Sequence, residues 1–249
     1  MSSVTQRINE IKQPKGGYLS IKNFETTIFN DDIELKKENI HPSITGLAVD
    51  YLTRFIIEGD VQKAFEISIL GAYIVGQLDK AAILLNYIDG LDNTSIICAC
   101  KLCAYDVAFR SGPQHFNNIE HINPDSDTIN NIRIMVNRSL DFIERFGPIT
   151  KYGFTFEGGY THTVNAGDGD FLTSDTLWDF KVSKKEPSTK YTLQILIYYI
   201  MGKHSVNKYF DDIKNIGLFN PRLNKMYILN TDLINEYIIK DIEENVICY

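Results

Sequence analysis

Asp170, Asp179 and Lys181 are the residues of this chain best spaced to do chemistry together. They lie in GDGDFLTSDTLWDFKVSK, residues 167–184. TLWDFKVS reads as a strand, and side chains alternate along a strand, so Asp179 and Lys181 project on one face. Trp178 and Phe180 then point to the other, core-facing side, and the strand is expected to have one apolar and one charged face. Asp170 sits just before the neighbouring strand, GDFLT, across a short connection at 173–176, so the two carboxylates are expected to converge. Two convergent carboxylates repel, and a divalent cation removes that penalty. Mg²⁺ takes oxygen ligands, often one or two carboxylates completed by waters and a substrate phosphate. A lysine beside such a site can orient or deprotonate a water, or stabilise charge developing on a phosphate. Metal-assisted attack of water on a phosphodiester is the reaction these parts suit.

The elements that must position these residues follow from periodicity and breakers. YLSIKNFETTIF can hold a short strand. HPSITGLAVDYLTRFIIEG starts a helix at Pro42-Ser43 and ends it near Gly59. From Val61 to about Gly147 the pattern is helical almost throughout, with SGPQHFNNIEHINPDSD, residues 111–127, as the longest polar connection. At Pro148 the texture changes: ITKYGFTFEGGYTHTVNAGDGDFLT, rich in Thr, Tyr and Phe and punctuated by Gly, reads as a hairpin. TLWDFKVS is the third strand and TKYTLQILIYYIMGKH a strong helix. Two short strands flank a turn at Asn220-Pro221-Arg222, and TDLINEYIIKDIEENVI closes the chain as a helix capped by Thr231 or Asp232.

With these elements in place, Asp170, then Asp179-Phe180-Lys181, then Gln194 and Tyr198 resemble the core of the PD-(D/E)xK nuclease superfamily, and the D…D-x-K…Q-x-x-x-Y order is most similar to its RecB-like branch. The resemblance implies an α/β fold: a restriction-endonuclease-like αβββαβ core with a mixed sheet and a large α-helical insertion. It implies that Asp170 and Asp179, with the Phe180 carbonyl, bind Mg²⁺ or Mn²⁺, that Lys181 serves the attacking water, and that Gln194 and Tyr198 border the site and the DNA. These two residues stand four apart and share a helix face. The family's first helix often supplies a further acid or a histidine; Asp50 is the candidate here, with Glu144 as its rival. Gly169 stands where the family's proline would precede the first acid. The implied organisation is an N-terminal segment with the first core helix over 1–60, a helical insertion over 61–147 and the nuclease core over 148–249.

Composition constrains the alternatives. The 249 residues, 44% hydrophobic, suffice for one sizeable core, and a formal net charge of -7 argues against indiscriminate binding to nucleic acid. Between Lys181 and Lys225, however, nine Lys/Arg face three acids, a local basic excess beside the D-x-K strand. Lys184, Lys185 and Arg222 are the candidates for holding DNA phosphates. MSSVTQRINEIKQPKGG has no apolar signal-peptide core and no run reaches the roughly 18 apolar residues of a membrane helix, so a soluble, cytoplasmic protein is expected. Cys98, Cys100 and Cys103 lie on an apolar helical pattern far from Cys248 and read as core thiols rather than cluster ligands. Asp168 and Asp175 read as turn residues, and His162 as a strand surface residue.

The sequence thus points first to a metal-dependent deoxyribonuclease acting on DNA, with free ends among the substrates considered. A second reading is a catalytically inactive nuclease-fold module that binds DNA or protein in a phage, prophage or defence system. A third is a structural protein whose helical stretch forms a homo-oligomer or meets a partner protein.

Overall fold

The computed structural model describes residues 2–249. It is a mixed α/β chain that divides into two compact units, Met1–Asn30 with Ile143–Tyr249, and Asp31–Phe142. The first carries the strands and the second is helical. The helical unit therefore interrupts the chain of the strand unit, and it includes the helix over 42–58 that the sequence reading groups with the core.

The strand unit begins with β1 (Ser2–Ser3), α1 (Val4–Glu10) and β2 (Glu25–Ile28). Ser3 caps α1: its hydroxyl accepts the Gln6 N–H while the Gln6 side chain accepts the Ser3 N–H.

The helical unit follows with α2 (Pro42–Glu58), α3 (Val61–Ala64), α4 (Glu66–Ile74), α5 (Leu78–Asn86), α6 (Asn93–Cys103), α7 (Asp106–Arg110) and α8 (Ser126–Phe146), whose last turn already belongs to the strand unit. Proline fits the first turn of α2 because its missing N–H has no intrahelical partner there. His41 caps that turn by accepting the Ser43 N–H at Nδ1, and Gly59 ends the helix in the left-handed region at φ 72°. The polar run NDDIELKKEN forms no helix or strand and instead lies along α8. Arg138, 6% exposed, grips Asp31 at 2.7 and 2.8 Å; the Asn131 amide pairs with the Lys36 backbone, and Thr128 accepts the Asn39 N–H. These side chains supply the backbone partners that a regular element would otherwise provide.

The strand unit resumes with β3 (Lys151–Phe154), β4 (Val164–Ala166), β5 (Gly169–Leu172), β6 (Thr176–Phe180), α9 (Thr189–His204), β7 (Asn215–Asn220), β8 (Lys225–Asn230) and α10 (Glu236–Asp241). Six strands form one mixed sheet in the order β2-β8-β7-β6-β5-β3. β6 and β7 are parallel, joined by α9 as the crossover, and every other pair is antiparallel. The expected hairpin forms between β3 and β5. Its middle, β4, leaves the sheet and pairs in parallel with β1. The closing helix also differs from expectation. Asn230 caps a 3-10 turn at Thr231–Leu233, and Asn235, rather than Thr231 or Asp232, caps α10, after which Ile242–Ile247 widens into a π-helical turn.

Two layers cover the sheet. On one face α9 buries Leu193, Leu196, Ile197 and Met201 in one core with Leu172, Leu177, Ile216 and Leu218. The other face carries an aromatic layer of Phe29, Phe146, Phe171, Trp178, Phe180 and Phe219, with ring centroids 5.0–6.4 Å apart. Trp178 packs across β7 because its neighbour there is Gly217; a Cβ on that glycine would meet the indole at 2.2 Å. No helix among the described residues is long and apolar enough to cross a membrane.

Candidate active site on the central strands

β6 is paired along both edges by β5 and β7, and α9 and the aromatic layer cover its two faces. The charged face expected from the sequence is therefore an interior one. Trp178 faces the aromatic layer, but Leu177, Asp179 and Lys181 face α9, and Asp179 is 2% exposed. A carboxylate so placed needs compensation, since burying an isolated charge costs several kcal/mol or more.

Lys181 compensates it. Its Nζ lies 2.9 and 2.7 Å from the two carboxylate oxygens of Asp179, and its backbone N–H continues the ladder by donating to Phe219 O at 3.0 Å. The ammonium also sits 5.3 Å above the ring of Tyr191, a cation–π distance. Burial pulls the Lys181 pKa down, but the charges of Asp179 and Asp170 and the bond to Asp179 outweigh it, so the pKa rises above its ordinary value.

Asp170 meets the pair from β5. Phe171 stands opposite Trp178 and Leu172 opposite Leu177, and Asp170 is the next residue of β5 toward the Asp179 end of β6. Directly opposed residues share a face, and Phe171 on the aromatic side leaves Asp170 on the α9 side. Its Oδ2 accepts the Phe180 N–H at 2.7 Å, which binds the first acid to the backbone between the second acid and the lysine. The expected convergence of the acids is therefore present.

α9 closes the site. Gln194 Nε2 donates to the Tyr198 hydroxyl at 2.8 Å. Burial, followed by the negative charges of Asp179, Asp168 and Asp170, holds the Tyr198 phenol well above its ordinary pKa against the opposing Gln194 bond. Tyr191 is the residue that sequence reasoning missed. The signal was available: Tyr191, Gln194 and Tyr198 stand at i, i+3 and i+7 on one face of α9.

Other candidates fall outside this cluster. Asp50 is on α2 of the helical unit, where Arg54 one turn on holds both its oxygens at 3.1 and 2.5 Å. Glu144 is exposed on the last turn of α8. Among the described residues no three His, Cys, Asp or Glu side chains are grouped for a metal ion. Two opposed carboxylates with a backbone carbonyl between them do fit a hard divalent cation that keeps several waters. His162 lies in a bend before β4, not in a strand. Asp175 is a turn residue, bonded to Thr176 and Asn215.

The basic excess divides on inspection. Lys190 bonds Asn9, Lys203 caps the carbonyls of Phe210 and Asp211, and Lys225 pairs with Glu186, so these three serve the fold. Lys184 and Lys185 are exposed and Arg222 half-buried, all close in sequence to β6 or the β7–β8 turn.

The cysteines of α6 are core thiols. Burial pushes Cys98 up, Cys100 up to about 12, and Cys103 further still. A thiol that does not ionise is neither a nucleophile nor a metal ligand. Labelling of the folded protein with a maleimide is accordingly expected to modify Cys248, which is partly exposed, and to spare Cys100 and Cys103 until denaturant is added. Peptide mapping that finds Cys103 modified as fast as Cys248 would contradict this.

Comparison of the chain with protein-family models, with curated proteins and with solved structures finds no match.

Proposed function

We propose that the chain is a Mg²⁺- or Mn²⁺-dependent DNA nuclease of PD-(D/E)xK type whose core is the strand unit. The observation that carries this reading is the placement of Asp170, Asp179 and Lys181 on one face of adjacent strands, with the ammonium on the second acid and the first acid on the intervening backbone. The order of three strands, crossover helix and parallel strand supports it. Asp170, Asp179 and the Phe180 carbonyl would hold the cation. When bound, that cation supplies a water of lowered pKa and neutralises charge developing on the phosphate.

Lys181 is protonated at neutral pH in the present arrangement, because its pKa is raised. In that form it is a hydrogen-bond donor that can steady phosphate charge or orient the attacking water. Gln194 fixes the Tyr198 hydroxyl on the α9 side of the site. Lys184, Lys185 and Arg222 supply cations for the DNA backbone, and Asp50 would have to leave Arg54 to contribute a ligand. The purified protein is expected to cut linear or circular DNA with Mg²⁺ or Mn²⁺, and Lys181→Ala or Asp179→Asn to slow cutting by about 10²-fold or more. Cutting at an unchanged rate by Lys181→Ala would remove the assignment.

One observation favours a second reading, a nuclease fold that binds DNA or protein without catalysis. Asp179 is buried and its carboxylate is already neutralised by the ammonium at 2.7 Å, so a metal must compete with Lys181 for it. Calorimetry with Mn²⁺ separates the two. Saturable heat that vanishes in Asp170→Asn supports the nuclease, and no heat, with DNA binding retained, supports the inactive module.

A further inference from the structure

The helical unit has a half-open cavity of ≈ 690 Å³ between the first turn of α2, the α6–α7 junction and the connection at residues 111–122. This volume lies within the range of small-molecule sites, about 300–1,000 Å³. Its apolar wall includes Leu47, Ala104, Val107 and Ile122. The polar groups around that wall include Arg110, which only donates, and His41, His115, Asn118 and His121, which can donate as well as accept. His41 accepts the Ser43 N–H at Nδ1, which leaves Nε2 as its donor nitrogen.

The single acid in the lining, Asp106, is committed to the wall. It is 2% exposed, and its two oxygens accept from the Tyr51 and Ser68 hydroxyls at 2.5 Å each. Arg110 reaches the same cluster at longer range, 3.4 Å to Asp106 and 3.4 Å to the Tyr51 oxygen. In a chain of net charge -7, a cavity that combines an apolar wall, an arginine and three histidines, with its only carboxylate held by hydroxyl donors, is selective in kind. A cation would meet the Arg110 guanidinium, and an uncharged apolar molecule would leave the polar groups of the lining without partners.

We propose that this cavity is a binding site for a small organic anion: an apolar body that packs on Leu47 and Val107, carrying one anionic group that accepts from Arg110 and the histidines. The site is independent of the strand-unit carboxylates and stands or falls apart from the nuclease reading.

A matched pair of fluorescent probes tests it. Anilinonaphthalene sulfonate has the apolar body and one anionic group, and N-phenyl-1-naphthylamine is the same body without the charge. The full chain is expected to bind the sulfonate saturably and the amine at least roughly tenfold more weakly, the equivalent of one charge-assisted hydrogen bond. Arg110→Gln is expected to remove most of that difference while leaving amine binding in place. Val107→Phe, which fills the cavity from α7, is expected to abolish binding of both. Leu47→Phe does the same from α2, should the first variant fail to fold by circular dichroism. Sulfonate binding that persists in a folded cavity-filling variant would place the probe elsewhere and overturn the proposal. Equal affinity for the two probes, unchanged by Arg110→Gln, would overturn the anion specificity.

Discussion

Lys181→Met is expected to destabilise the strand unit by about 3–5 kcal/mol, because it strands the Asp179 carboxylate in a place where it is 2% exposed. Urea unfolding at pH 7 measures this as a lowered midpoint at an unchanged slope. The loss belongs to the orphaned charge and not to the missing methylenes, which methionine largely replaces. The double variant Asp179→Leu/Lys181→Met is therefore expected to regain most of the stability while remaining without nuclease activity, since a buried ion pair is commonly replaceable by apolar groups of similar size. If the single and double variants are equally unstable, the orphaned Asp179 charge is not the source of the loss. The pH dependence has a definite sign. Burial opposes the charged lysine but the two aspartates prevail, so the native pKa of Lys181 lies above its ordinary value of 10.5. The native state then holds this proton more tightly than the unfolded chain does. The contribution is complete below pH 10.5 and is lost as the pH rises through the native pKa. The stability difference between wild type and Lys181→Met should thus shrink above pH 10.5, and shrink again on acidification as the orphaned Asp179 carboxylate takes up a proton.

Gly71→Ala is expected to have the largest effect in the helical unit that touches no charge. A Cβ at this position of α4 would lie 2.0 Å from the carbonyl oxygen of Tyr105 and 2.7 Å from its carbonyl carbon, at the α6–α7 junction. The obstacle is backbone, which cannot turn aside as a side chain can. In isolation alanine favours a helix over glycine by about 1 kcal/mol. The overlap is expected to reverse that and leave a net loss of about 2–3 kcal/mol. A melt of the full chain should show this as a fall in the helical unit's midpoint on the order of 5–15 °C. Gly90→Ala is the control, since its Cβ would meet nothing within 4 Å. Equal effects of the two substitutions would show that α4 and the α6–α7 junction separate readily to admit a methyl group.

Much of the chemistry-bearing cluster was legible in the sequence. Strand alternation alone put Asp179 and Lys181 on one face, and the short 173–176 connection brought Asp170 beside them. Helical spacing put Gln194 and Tyr198 within a hydrogen bond. Pro42 and Gly59 marked the ends of α2 because their backbone preferences act locally. Rules of this kind depend on neighbours in the chain, and the sequence carries them directly.

Burial and partnership were decided by the tertiary structure. The sequence made TLWDFKVS a strand with one apolar and one charged face; the packing of α9 on one side and the aromatic layer on the other made both faces interior. Nothing local says that β4 will abandon its hairpin for β1, since the pairing joins residues about 160 apart in the chain. The fate of Asp50 depended on Arg54 being one helical turn away with its side chain free to reach back, and the assignment of NDDIELKKEN to the side of α8 depended on Arg138, Asn131 and Thr128. Which charge is compensated, and by what, is settled only when distant segments meet, because the cost of an unpaired charge is small in water and large in a packed interior.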